Sequence, residues 1–219
     1  MSKLLNPIQA FLFRKWRSYI DRRFDRRFGV DTGGQIPAES LTGSPSANPY
    51  VGTPPARFFS MISALEVEPR EVTFIDFGCG KGRVLLLASQ LGFTRVIGLE
   101  LSPELVRIAR KNVETYQKKH PGSAIEVICE DAASFKIPAG NILLYMYNPF
   151  QEDVMRQVVA NVDRAVRKEF RQITIVYYNA RCAEVLDAAG FLERLSTTRR
   201  YSVYRSVQMQ QSEARGAGK

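Results

Sequence analysis

The stretch Phe74-Ile75-Asp76-Phe77-Gly78-Cys79-Gly80-Lys81-Gly82-Arg83 carries the clearest chemical signal in the chain. An apolar run enters a glycine-rich turn and leaves as a helix, the layout that brings backbone amides close to a nucleotide ligand. A pyrophosphate site would space its glycines as G-x-G-x-x-G, and the third of those positions is taken here by Arg83, too bulky for a helix pressed on a strand. The spacing is instead G-x-G-x-G, with Asp76 two residues before the first glycine. A carboxylate there suits a ligand with a cationic amino-acid head and disfavours a dinucleotide. Two more acids close apolar runs: Glu100 after Val96-Ile97-Gly98-Leu99, and Asp131 in Glu130-Asp131-Ala132, where Glu130 could replace it.

Asp76 with Gly78, Gly80 and Gly82 resembles motif I of the class I S-adenosylmethionine-dependent methyltransferases, and the likeness continues in order over about residues 50–207. The resemblance implies S-adenosyl-L-methionine as cofactor, with Glu100, 18 residues beyond Gly82, on the ribose hydroxyls and Asp131 on the adenine amino group. Tyr147-Asn148-Pro149-Phe150 is similar to the Asn/Asp-Pro-Pro-aromatic motif of amino-group methyltransferases, with one proline missing. It implies that Asn148, flanked by Tyr147, Pro149 and Phe150, holds the acceptor nitrogen. Asn-Pro is also a plain helix start, as at Asn6-Pro7, and Asn148-Pro149 would serve that purpose too.

Motif I, the Glu100 strand and Asn-Pro-Phe together also resemble the Dot1-type protein-lysine methyltransferases and their bacterial relatives. In those the segment comparable to Tyr50-Val51-Gly52-Thr53-Pro54 folds over donor and acceptor, so Tyr50 and Thr53 are lid candidates. The implied reaction is in-line displacement at a sulfonium methyl, which demands alignment and a water-poor site but no metal. A lysine acceptor must first lose a proton, at a cost of about 4.6 kcal/mol at pH 7. An apolar pocket lowers that cost. Tyr145, Tyr147, Phe150, Tyr177 and Tyr178 are candidates to line it, although alternation lets only one of Tyr177 and Tyr178 join the Tyr145/Tyr147 face.

These residues need a scaffold, and the periodicity supplies one. Strands are expected at 72–77, 95–100, 125–129, 141–147 and 172–178, alternating with helices at 81–91, 103–119, 151–168 and 181–189, before a hairpin at 191–196 and 200–207. Repeated β-α-β units predict an α/β fold: a Rossmann-like, seven-stranded, mostly parallel sheet with an antiparallel last strand, as the resemblance implies. Ser102-Pro103-Glu104 marks a helix start. The expected organisation is a basic amphipathic helix over 1–28, a loop or lid over 29–55, the methyltransferase domain over 56–207 and a polar tail over 208–219, frayed from Met209. A helix over about 54–66 should be capped by Thr53-Pro54-Pro55.

The 219 residues carry a net charge of +9, of which residues 1–30 hold +6 and residues 199–219 hold +4, leaving the central body at −1. The basicity therefore reads as an accessory of the two ends. In the first helix Leu5, Ile8, Leu12, Trp16, Tyr19 and Ile20 form an apolar stripe, while Phe24 and Phe28 drift off it. Such a helix packs on its own domain, or lies on an anionic membrane, or grips a partner. Nucleic acid bound through the basic termini is a further possibility. Three cysteines without C-x-x-C spacing argue against a disulfide scaffold or zinc finger and suit a reducing, cytoplasmic setting, peripheral to a membrane if the helix docks there. His120, the only histidine, sits in a loop and is expected to be solvated, so neither a histidine-based mechanism nor a histidine metal site is expected. The favoured function is N-methylation, with a protein lysine as the acceptor that the Dot1-type resemblance implies. The rivals are methylation of RNA or DNA bases and a non-catalytic scaffold that keeps the nucleotide pocket.

Overall fold

The computed structural model describes residues 6–41 and 48–208. Leu5 and the tail from Met209 lie outside the described residues. Seven strands form one sheet: β3 (Thr73–Phe77), β4 (Arg95–Glu100), β5 (Ile125–Cys129), β6 (Ile142–Tyr147), β7 (Ile173–Tyr178), β8 (Leu192–Thr197) and β9 (Tyr201–Ser206). Their order is β5-β4-β3-β6-β7-β9-β8, with β9 alone antiparallel to its neighbours β7 and β8. The expected mostly parallel sheet with an antiparallel last strand is what forms. Strand order reverses between β3 and β6, so the carboxyl ends of these two strands flank the crevice where open α/β sheets bind ligands.

Helices cover both faces, which is why β6 and β7 are apolar almost without interruption. Phe74, Val96, Leu143 and Tyr145 pack in a cluster with α1 (Pro7–Phe28), α2 (Pro55–Ile62), α3 (Arg83–Gln90) and α4 (Pro103–Gln117). Ile75, Phe77, Ile97 and Leu144 pack on the other side with α5 (Glu152–Lys168) and α6 (Ala183–Asp187). Gly98 in β4 sets the approach of α3: a Cβ there would fall 2.5 Å from Leu85. Ser102 caps α4 as expected, its side chain accepting from the Leu105 amide.

Asn6 caps α1 by accepting from the Gln9 amide at 2.8 Å, and the Gln9 side chain accepts in return from the Asn6 amide. The helix stops at Gly29, whose φ of 72° ends it in the left-handed conformation. Its inward face is not the one the apolar stripe suggests. Ile8, Leu12, Trp16 and Tyr19 are exposed, whereas Asp21, Phe24 and Phe28 are buried against the domain. The reason is polar: Asp21 pairs with buried Arg83 and draws its own side of the helix inward.

Residues 29–55, expected as a loop, contain a short antiparallel pair, β1 (Gln35–Ile36) with β2 (Tyr50–Val51), and a 3-10 turn over Ala38–Ser40. Thr53 does not cap α2. The cap position is Pro54, with no side-chain bond, because the Thr53 hydroxyl is engaged elsewhere. His120, expected to be solvated, is partly exposed, with one face stacked on Tyr116 at a centroid distance of 4.2 Å and packed on Phe28 at 6.0 Å.

Candidate functional site

The turn after β3 takes positive φ at Gly78 (78°), Gly80 (55°) and Gly82 (84°), a sequence of conformations that side chains disfavour. Two of these glycines also make room. A Cβ on Gly78 would lie 2.6 Å from Pro149, and one on Gly80 would lie 2.2 Å from the Tyr50 ring. Gly82 stands apart from the cleft and begins α3 against Ala109. Cys79 is buried in the turn, beside Gly98.

Asp76 shares its register level with Tyr145 and is 3% exposed. Among the described residues no donor hydrogen-bonds to its carboxylate. Burial, reinforced by the charge of Glu100, holds the Asp76 carboxyl well above the usual carboxylate range. Burial also raises Glu100, but here backbone amides oppose it: the carboxylate accepts from Ser102 and from Gly80, each at 2.9 Å. A buried and a half-buried acid facing one space favour a cationic ligand.

Both acids line a cleft of about 380 Å³, an ordinary size for a small-molecule site. Gly78, Gly80, Asp131 and the alternative acid Glu130 are in its wall, as are Tyr147, Asn148, Pro149, Phe150, Tyr50 and Thr53. Of the residues singled out from the sequence, Gly82, Tyr177 and Tyr178 lie outside this wall. Leu99, Leu101, Leu105 and Ala132 supply apolar wall. Asp131 is exposed and accepts from the Ala133 amide at 2.9 Å.

At the end of β6, Asn148 takes a φ of 41°. It is not a helix cap, since Gln151 holds that position for α5. The Tyr177 phenol oxygen accepts from the Cys182 amide at 3.2 Å and lies 3.1 Å from Asn148 Oδ1. An amide N–H can only donate, so the phenol proton goes to Asn148 and fixes its carboxamide. Asn48 clamps the same turn by donating to the carbonyls of Asn148 (2.8 Å) and Phe150 (3.2 Å). Tyr178, and not Tyr177, shares the Tyr145/Tyr147 face, and the Tyr147 and Tyr178 rings lie 4.5 Å apart. Thr53 and Tyr145 hydroxyls meet at 2.9 Å, fully buried.

Sequence reasoning missed the network behind the cleft. Arg83, 1% exposed, donates to Asp21 at 2.5 Å, to Thr32 Oγ1 at 2.8 Å and to the Thr53 carbonyl at 3.5 Å. Asp25 accepts from the Thr32 hydroxyl and from the amides of Thr32 and Gly33. Lys81 reaches Asp31 at 3.0 Å, and Tyr50 donates to the Thr32 carbonyl at 2.7 Å. A signal existed: Asp21 and Asp25 are the two acids of a strongly basic helix, and with Phe24 and Phe28 they fall at helical spacing. Asn179, with a φ of 53°, and Arg181 also line the cleft and were not singled out.

Residues 74–169 match the family model of the methyltransferase domain. Over 123 residues the chain is 35% identical to the ribosomal protein L11 methyltransferase of Photorhabdus laumondii, covering 51% of this chain and 41% of that protein. Over 84 residues it is 30% identical to the enzyme of that name from Thermotoga maritima, covering 38% and 32%. The matched part thus spans less than half the length of these relatives. A predicted N6-adenine-specific DNA methylase from Listeria monocytogenes superposes with a TM-score of 0.52 at 14% identity, over 71% of this chain and 51% of that one. A ribosomal protein L11 methylase from Lactobacillus delbrueckii superposes with a TM-score of 0.50 at 15% identity, over 70% and 79%. These superpositions share the fold.

The likeness to a methyltransferase domain runs from β3 to the end of α5 and brings S-adenosylmethionine as the expected cofactor. The cleft fits that cofactor. Asp76, unpaired among the described residues, would offer a buried carboxyl group to an ammonium, Glu100 would keep lone pairs for hydroxyls, and Leu99, Leu101 and Leu105 would offer apolar surface to a base.

Proposed function

We propose that this protein is an N-methyltransferase that uses S-adenosylmethionine to methylate an amino group, with a protein lysine as acceptor. The observation that carries this reading is the pairing, in one cleft, of the unpartnered Asp76 carboxylate with an Asn148 carboxamide fixed by Tyr177. Asp76, Glu100 and Asp131 would hold the cofactor, which when bound supplies a methyl group on a positively charged sulfur. Asn148 and the carbonyls of its turn orient the acceptor nitrogen. Tyr145, Tyr147 and Tyr178 exclude water. Burial raises the pKa of Tyr145 and Tyr147, so these phenols stay neutral at physiological pH and add no anion to the acceptor side. An ammonium entering this aromatic surround sheds its proton to solvent and presents a lone pair. Tyr50 and Thr53 close the cleft from the lid side.

The ribosomal protein L11 methyltransferases among the relatives, and the resemblance of motif I and Asn-Pro-Phe to Dot1-type enzymes, support a protein acceptor. A nucleic-acid base is the second reading, favoured by the Listeria DNA methylase among the structural neighbours and by the basic helix α1. Incubating the protein with methyl-labelled donor and fractionated cell lysate separates them. Label should enter nuclease-resistant, protease-sensitive material and appear as methylated lysine after hydrolysis. Label in nucleic acid would establish the second reading, and no label in any fraction would leave a scaffold.

A further inference from the structure

Helix α1 has two long sides with opposite uses. The inner side, through Asp21, Phe24 and Phe28, is buried against the domain. On the outer side Ile8, Phe11, Leu12, Trp16 and Tyr19 recur at three- and four-residue spacing with exposures between 48% and 70%. Six of the nine large exposed hydrophobics among the described residues fall on residues 8–19 of this one helix, Phe13 being the sixth. Scattered apolar residues are ordinary on a surface, but a contiguous patch of this kind marks an interaction site.

What the patch touches is indicated by its continuation. Lys15 lies within it, and the next turns of the same side carry exposed Arg22, Arg23, Arg26 and Arg27, which with Tyr19 ring a shallow hollow. No acid joins them, because Asp21 and Asp25 face inward toward Arg83. A nucleic acid would meet the arginines and leave the apolar patch in water. An anionic lipid surface meets both, with Trp16 and Tyr19 at headgroup depth and the guanidiniums on phosphates. Among the described residues no helix is long and apolar enough to cross a membrane, so α1 would lie on the surface instead of spanning it.

We propose that α1 is an interfacial helix that holds the domain on an anionic lipid surface. Arg17, on the inner side, donates to the Gly52 carbonyl in the cleft wall. The lipid surface is therefore about one helix diameter, 10–12 Å, from that wall. The inference does not depend on which acceptor is methylated.

Trp16 is the single tryptophan and serves as a native reporter. The full chain is mixed with vesicles of phosphatidylcholine alone or of phosphatidylcholine with phosphatidylglycerol, and both Trp16 emission and flotation are read. Anionic vesicles should shift the emission to the blue, protect it from an aqueous quencher and bind at least about tenfold better than neutral ones, with high salt weakening the effect. Leu12→Glu should abolish flotation while donor binding and circular dichroism stay unchanged. Equal binding to both vesicle types, no binding to either, or loss of a dimer in Leu12→Glu without any vesicle effect would overturn the proposal. The last result would assign the face to a second copy of the chain.

Discussion

Replacing Asp76 by asparagine should make the protein more stable and a worse binder at once. In the ligand-free fold this carboxyl is buried, faces Glu100 and has no hydrogen-bond donor among the described residues, so its pKa stands above its ordinary value of 3.8. As pH rises from that value through the raised one, the folded state holds more protons than the unfolded state, and unfolding free energy falls. Above the ordinary carboxylate value the native site therefore bears a cost for this acid, either as a buried ion or as a carboxyl held protonated against the solution. Asparagine removes that cost, so ligand-free Asp76→Asn should melt above the native protein at pH 7, with the gap closing toward pH 4. Binding moves the other way. Losing one hydrogen bond to a charged group costs about 1.5–3 kcal/mol, so the donor Kd should rise about ten- to 150-fold. The native protein should also bind donor more tightly as pH rises through the Asp76 titration, a dependence the variant should lack. Thermal melts and titration calorimetry from pH 4 to 8 read both quantities. A variant that binds donor as well as the native protein, or that is less stable at pH 7, would refute the assignment of Asp76 to a cationic head.

Gly80→Ala forces a Cβ to within 2.2 Å of the Tyr50 ring at a φ of 55°, so donor affinity and stability should both drop. Adding Tyr50→Ala should recover the steric part, leaving backbone strain of about 1–2 kcal/mol in a double-mutant cycle. Tyr177→Phe removes the proton that orients Asn148, and kcat should fall about tenfold with donor Kd unchanged, a split that general destabilisation would not produce. Asp21→Asn leaves Arg83 buried without its anion and should cost about 3–5 kcal/mol in urea denaturation, largely restored by a second change, Arg83→Met.

The sheet and the gathering of Asp76, Glu100 and Asp131 at one cleft were legible because each has a local signature. A run such as Ile142–Tyr147 is apolar on both faces, and an acid near the carboxyl end of a parallel strand has few structural uses. Helix boundaries fell within a few residues because Asn6, Ser102 and Gly29 are true caps. What was illegible is where polar contacts overrule apolar pattern. A search for hydrophobic stripes on α1 finds Ile8, Leu12, Trp16 and Tyr19, yet the inward stripe alternates Asp21, Phe24, Asp25 and Phe28. Its worth appears only when the partner, 62 residues away at Arg83, is known. Thr53 fails the same way: its sequence context is that of a cap, but the Tyr145 hydroxyl lies closer to hand.

Arg83 explains why the charge split by segment misleads. It occupies the position that would be glycine in a dinucleotide turn, and its side chain runs from the start of α3 back to α1. On the way its guanidinium passes Gly52, where a Cβ would lie 3.0 Å from it, and contacts the Thr53 carbonyl of the lid. The glycine turn after β3, the segment around Thr53 and α1 are thus joined by one buried cation, with Lys81 to Asp31 as a second tie. The first helix is not an accessory to a neutral body. Its Asp21 neutralises a charge that the donor turn itself buries. Deleting residues 1–28 would uncover Arg83 and loosen the lid, so loss of any binding after truncation would report on the donor site as much as on the deleted surface. Substitutions on the outer face, such as Leu12→Glu, separate the two, because that face contributes nothing to the Arg83 network.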